Sequence, residues 1–221
     1  GICSLNPMED RYAVTVSMKF DPEGRATGAS FYPSVIQSHM RLTYEAVEAA
    51  TVNRDAKARR KLRPCVENLE DMAELAALIT CIREKRGSID FDLPEPEVIM
   101  DIEGGISQII RAERLNSHRI IEEFMISANE AVARLFEDGG ISALFRTHEP
   151  PEEDKLRDFE RLLQSLGIGY KKRGRTAALK DVIANVCGTK YEFIVNRVLL
   201  RSMKQARYSA SNRGHFGLAS T

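Results

Sequence analysis

The sequence predicts an α+β protein, and three observations carry that reading. Residues 11–20 alternate with a period of two. Residues 65–86 and 117–137 repeat apolar side chains at three- and four-residue spacing. Strand signals gather early and helix signals late. The composition agrees. The chain has 221 residues, 43% apolar and 29% charged, with no Trp. It is long enough to bury a real core, as one large domain or two small ones. Collagen-like and mucin-like classes are excluded. No run approaches the roughly 18 apolar residues of a membrane span, and residues 1–10 lack the basic and apolar regions of a secretory signal.

The elements follow in order. Tyr12, Val14, Val16, Met18 and Phe20 share one face of a strand; Ala13, Thr15, Ser17 and Lys19 share the other. Asp21-Pro22-Glu23-Gly24 is a turn, with Pro second and Gly fourth. A second strand over about 25–37 completes an antiparallel hairpin. A short helix runs from Thr43 to about Val52. A longer one, from about Cys65, carries Leu69, Met72, Leu75, Ala76, Ile79 and Ile82 and stops at Gly87. Residues 88–93 read as extended. Val98–Ile102 and Ile106–Ile110 flank Gly104-Gly105 as another hairpin. Asn116 or Ser117 is the expected N-cap of the helix at 117–137, with Ile121, Met125, Ala128, Val132 and Leu135 as its apolar stripe. Helices are expected again at 154–166, 176–186 and 190–207, with a basic loop at 171–175.

The net charge of zero conceals an asymmetry. Residues 166–221 hold 11 Lys and Arg against Asp181 and Glu192, a net of +9, so residues 1–165 carry −9. A basic final quarter suits either a polyanion-facing surface or a face that neutralises the acidic remainder. Cys3, Cys65, Cys81 and Cys187 form no CxxC pair, which argues against structural zinc. They read as reduced thiols packed as small hydrophobes.

Several constellations could carry chemistry. Arg119, Glu122 and Asn129 share a helix face, as a ligand-facing line or as a solvated intrahelical ion pair. Asp90 and Asp92 face one way on a strand, where two carboxylates could hold a divalent ion although no further Asp lies close by in sequence, and they bracket Phe91, whose ring either stacks on a base or packs in the core. Ser38-His39-Met40-Arg41-Leu42-Thr43-Tyr44 is a polar, basic and aromatic strip suited to a phosphate and a base. There is no GxSxG elbow, no Walker A loop and no GxGxxG.

Segments spread in order over nearly the whole chain carry a resemblance. They are Ile2-Cys3-Ser4-Leu5-Asn6-Pro7, the Ser38–Tyr44 strip, Arg86-Gly87-Ser88-Ile89-Asp90-Phe91, and Ser117-His118-Arg119-Ile120-Ile121-Glu122-Glu123-Phe124-Met125-Ile126 with Ala128-Asn129. Leu144-Phe145-Arg146-Thr147-His148-Glu149-Pro150-Pro151 follows. Then come Leu200-Arg201-Ser202-Met203-Lys204-Gln205-Ala206 with Tyr208, and Gly214-His215-Phe216-Gly217-Leu218. Together they resemble the RNB catalytic domain of the ribonuclease II and ribonuclease R exoribonucleases, the ribonuclease R branch more closely.

The resemblance implies an RNB catalytic-domain fold, an antiparallel sheet flanked by helices. Residues 1–221 would be the central part of that single domain, cut at both ends. It implies processive 3′-to-5′ hydrolysis of single-stranded RNA to nucleoside 5′-monophosphates, with Mg²⁺ as cofactor. It assigns base stacking to Tyr44 and Phe91, and places Glu122, with Arg119, beside the RNA backbone or terminal ribose. The family's aspartate cluster precedes its Cys-Ser-Leu segment, so no catalytic residue and no metal ligand is expected within this chain, and Asp90 and Asp92 do not take that role. The isolated chain is expected to be inactive. The partner implied is single-stranded RNA in the cytoplasm, with no membrane and no obligate protein partner. The alternative is a non-catalytic RNA-binding or scaffold module of the same fold.

Overall fold

A computed structural model describes residues 3–90, 96–101, 104–111, 113–170 and 175–220. The chain divides into two compact units, Gly1–Ile82 with Arg114–Gly139, and Arg83–Glu113 with Gly140–Thr221. The described strands pair antiparallel, as expected, but in three separate two-stranded ribbons and not in one sheet.

In the first unit, β1 (Asp10–Phe20) pairs with β2 (Ala26–Gln37). Asp21 closes the turn: its carbonyl accepts the Gly24 N–H at 2.9 Å and its Oδ1 accepts the Arg25 N–H at 2.7 Å. Gly24 has φ +86°, and a Cβ there would lie 2.6 Å from the Leu78 Cβ of α3 (Val66–Arg86). Both the backbone conformation and the close approach therefore demand glycine. The apolar face of β1 does not stay on one side. Tyr12 is 94% and Val14 77% exposed, whereas Val16, Met18 and Phe20 are half-buried. A two-stranded ribbon twists strongly, and its turn end lies against α3. The shelter given to the apolar face is therefore lost toward the far end.

Helix α1 (Tyr44–Thr51) starts at Thr43, whose Oγ1 accepts the Ala46 N–H at 3.3 Å. Helix α2 (Ala56–Lys61) has no counterpart in the sequence reading. It buries no residue, and Asp55 caps it by accepting the Ala58 N–H at 2.7 Å. Val47, Ala50, Leu62 and Leu69 make a small core, with Leu42, Cys65 and Met72 against it. Helix α4 (Asn116–Asp138) completes the unit. Its buried face is Ser117, Ile120, Glu123 and Ala131, not the expected stripe. Ile121 and Leu135 are exposed, and Met125 is 58% exposed.

The second unit is held by three helices: α5 (Glu153–Ser165), α6 (Arg175–Val186) and α7 (Glu192–Ser202). Leu156, Phe159 and Leu163 of α5 meet Leu179, Val182 and Val186 of α6 and Val195 and Leu199 of α7, with Ile89 alongside. The intervals of three and four put each set on one helix face, and each fully buried side chain contributes about 1.5–3 kcal/mol. Helix α7 ends at Ser202, short of the expected 207. Residues Arg207–Ser209 instead form β6, paired with β5 (Phe145–Thr147). Neither strand was foreseen. The remaining hairpin is β3 (Pro96–Met100) with β4 (Ile106–Arg111), where Asp101 Oδ1 accepts the Gly105 N–H at 2.8 Å. A single 3-10 turn, Phe216–Leu218, is tied in by the Phe216 N–H donating to the His148 carbonyl at 2.7 Å.

All four cysteines are free thiols, but Cys3, Cys81 and Cys187 are exposed and Cys65 is only partly buried. The reading of them as packed small hydrophobes therefore fails for Cys3, Cys81 and Cys187 and holds in part for Cys65, which lies against the small core of the first unit. Phe91 and Asp92 lie outside the described residues, as do residues 171–174 of the basic loop. Among the described residues no helix is long and apolar enough to cross a membrane.

Candidate functional site

The first N–H groups of a helix have no partner within it. At the start of α4 the N-cap position is held by Leu115, which has no polar side chain, and the expected caps Asn116 and Ser117 are already helical. The acceptor comes from α1 instead. Glu48 Oε2 accepts the Ser117 N–H at 3.0 Å, and Oε1 accepts from Asn116 Nδ2 at 3.1 Å. A carboxylate at a helix N-terminus also meets the favourable end of the dipole. His118 turns back and its Nδ1 accepts the Leu115 N–H at 3.1 Å, which leaves the ring proton of a neutral imidazole on Nε2.

Tyr44 lies one turn before Glu48 and so shares its face of α1. The lock that holds Glu48 to α4 thus also brings Tyr44 onto His118, with ring centroids 4.0 Å apart and planes inclined at 35°. Tyr44 stays 42% exposed. Glu122, one turn beyond His118, accepts from Arg114 Nη2 at 2.7 Å. This pair replaces the intrahelical Arg119–Glu122 pair considered from spacing. Arg119 is half-buried, and its side chain makes no hydrogen bond or ion pair among the described residues. Asn129 is exposed further along the helix. The Glu45 carboxyl, next to Tyr44, is held below the ordinary carboxylate range, first by its own backbone N–H and then by the Thr43 hydroxyl.

Tyr44, Arg119 and Glu122 are therefore gathered on the start of α1 and the first two turns of α4, while Phe91 lies outside the described residues. The residues that arrange them, Glu48, His118 and Arg114, were not singled out from sequence. The four-residue interval from Tyr44 to Glu48 was the available signal. Chemically, the site offers an aromatic face, a carboxylate acceptor and two guanidinium groups. Such groups can stack on a base, accept from a ribose hydroxyl and hold a phosphate. The Arg114–Glu122 pair is only partly buried, so it holds about 0.2–1 kcal/mol and can be exchanged for a ligand at small cost.

The second unit has its own polar cluster. Glu149 accepts from Lys204 at 3.0 Å and Arg213 at 3.1 Å, with Arg207 at 3.5 Å. These cations, Lys204 foremost, hold its carboxyl below the ordinary range. Close by in sequence, the rings of His148 and His215 meet edge to face at 4.9 Å. Burial, then the neighbouring His148 and Arg146, lowers the His215 pKa. Among the described residues no three His, Cys, Asp or Glu side chains gather as ligands for an ion. The described residues therefore bring together no set that fits Mg²⁺.

Known proteins resemble the chain along nearly its whole length. Ribonuclease R of Aquifex aeolicus is 44% identical over 222 residues, which cover 99% of this chain and 31% of that protein. Ribonuclease R of Escherichia coli is 38% identical over 223 residues, 99% of this chain and 27% of the relative. The chain thus spans under a third of the length of these relatives. Among solved structures, Mycoplasma genitalium RNase R in complex with ribose-methylated single-stranded RNA superposes with a TM-score of 0.90 at 26% identity. That match covers 99% of this chain and 34% of the other. A family model described as RNB domain matches residues 1–221. The chain belongs to the RNB-domain family.

Proposed function

We propose that the chain is the central part of the catalytic domain of a processive 3′-to-5′ exoribonuclease. The parent protein degrades single-stranded RNA to nucleoside 5′-monophosphates in the cytoplasm, without an obligate protein partner, and this segment supplies contacts along the RNA path. The observation that carries the reading is the Tyr44 ring seated on His118 beside Glu122 and Arg119. Relatives of matching sequence bear the name ribonuclease R, and one is known with single-stranded RNA bound. Tyr44 stacks on a base, as does Phe91. Glu122 accepts from a ribose 2′-hydroxyl, which is how such a site tells RNA from DNA. Arg119, with no intramolecular partner among the described residues, holds a backbone phosphate. Mg²⁺ belongs to the parent enzyme, where it stabilises charge on the reacting phosphate. Its ligands would come from the family's aspartate cluster and not from Tyr44, Phe91, Arg119 or Glu122.

The test uses the full-length protein and RNA with a single-stranded 3′ end in Mg²⁺. Steady release of nucleoside 5′-monophosphates is expected from that protein, and none from the 221-residue chain. Tyr44→Ala should weaken RNA binding by about 1–3 kcal/mol with little change in melting, since the ring is part-exposed. No nucleotide release by the full-length protein, or wild-type RNA affinity in Tyr44→Ala, would overturn the reading.

A further inference from the structure

In the other unit, an exposed aromatic ring and a guanidinium stand side by side on the β5–β6 ribbon. Side chains alternate across a strand. Thr147 is buried, and its Oγ1 donates to the Arg207 carbonyl at 3.3 Å, while Arg146, on the opposite face, is exposed. Directly across the ladder from Arg146 is Tyr208, which is 72% exposed. Directly opposed residues in an antiparallel pair have Cβ atoms about 4.5–5.5 Å apart, so ring and guanidinium present themselves to the same stretch of solvent.

Neither group is occupied by the fold. Among the described residues the Arg146 side chain has no hydrogen bond or ion pair, and the Tyr208 hydroxyl has no partner. The other cations nearby in the ribbon differ. Lys204, Arg207 and Arg213 converge on Glu149, and Lys204 also reaches Glu152 at 3.7 Å, so three cations face two carboxylates and one positive charge is left over. The field of Arg146 reaches at least His215, whose protonation it disfavours. A basic patch alone would suit an acidic protein surface equally. The exposed ring beside an uncommitted guanidinium favours a partner with both flat faces and phosphates.

We propose that Tyr208 and Arg146 form a second subsite for single-stranded RNA, with Tyr208 stacked on a base and Arg146 on the adjoining phosphate. Arg207 and Arg213 strengthen the local positive field. This inference rests on the chain being an RNA-binding protein, and adds a contact distinct from Tyr44. The experiment measures binding of a labelled oligouridylate to the 221-residue chain across a salt series, with melting followed on each variant. Tyr208→Ala should weaken binding at least about fivefold, the lower end of what base stacking supplies, and Tyr208→Phe should keep it. Arg146→Gln should lower the log–log salt slope by about 0.7, the value for one phosphate of a single strand. Melting should be unchanged throughout. Wild-type affinity in Tyr208→Ala, while Tyr44→Ala still weakens binding, overturns this subsite and leaves the first reading standing. Wild-type affinity in both variants overturns both readings. Equal loss in Tyr208→Phe and Tyr208→Ala defeats the stacking role. An unchanged slope in Arg146→Gln defeats the phosphate role, and equal competition by an acidic polypeptide defeats the assignment to RNA.

Discussion

The two units hold themselves together by different means. The second is built on an apolar centre in which Phe159, Leu163, Leu179, Val195 and Leu199 are shut off from solvent. The first has a small core of Val47, Ala50, Leu62 and Leu69 and a long hairpin whose far end is open. Its decisive links are polar: Glu48 on the α4 N-terminus and His118 folded back on Leu115, which together set the surface on which Tyr44 is laid. Apolar burial is non-directional and holds mass together, whereas hydrogen bonds hold orientation. The unit with the smaller apolar cluster is thus the one in which the placement of a ring and a carboxylate is tightly specified.

The largest expected effect breaks the apolar side of this contrast. Phe159→Ala should destabilise the second unit by about 3–5 kcal/mol, because Phe159 is fully buried among three helices. Denaturant unfolding checks it. A loss under about 1 kcal/mol, less than a cavity of that size demands, would show that the helices do not depend on this centre.

A smaller effect tests the polar side. Glu48→Ala removes the acceptor for the Ser117 N–H and should cost about 0.5–2 kcal/mol, as lost helix caps do. The loss should be local. Amide exchange at Ser117 and His118 should quicken, and RNA binding should weaken as Tyr44 loses its setting. Unchanged exchange there would mean that α4 is capped without α1.

The smallest effect concerns pH. His215 has a folded pKa below its ordinary value of 6.5, through burial first and the neighbouring His148 next. As pH falls past 6.5 the unfolded chain takes up the proton before the folded one does. The stability contribution is therefore complete above that pH and is lost as pH drops toward the folded value. The melting temperature should decline over that window, and His215→Asn should flatten the decline. Asn retains an acceptor for the Leu218 N–H that His215 Nδ1 now receives. An equal decline in the variant would assign the pH dependence to other groups.

Much of the candidate site was readable because its residues stand in ordered motifs: Tyr44 in its basic strip, Arg119 and Glu122 on one helix face. Their supports were not. Glu48 caps a helix 68 and 69 residues away, and no local pattern announces an acceptor from another element. The exposed position of Cys81 on α3 was misread for a related reason. Residue type sets a tendency to burial, while the packed neighbours decide it.

By itself the sequence determined what depends on near neighbours. The Asp21–Gly24 turn, the long helix stopped at Gly87 with φ +111°, the hairpin around Gly104 and the spans of α5 and α6 all follow from contacts within a few residues. Tertiary structure decided the rest. Helix α4 carries Ile120 beside Ile121 and Phe124 beside Met125, so two adjacent apolar lines compete. Only the elements packed against α4 choose Ile120 over Ile121. Strands β5 and β6 are three residues each, too short to display a period of two. Their pairing joins Thr147 to Arg207 across 60 positions. A chain writes its local geometry in its order, but a ladder partner or a buried face exists only once distant segments have met.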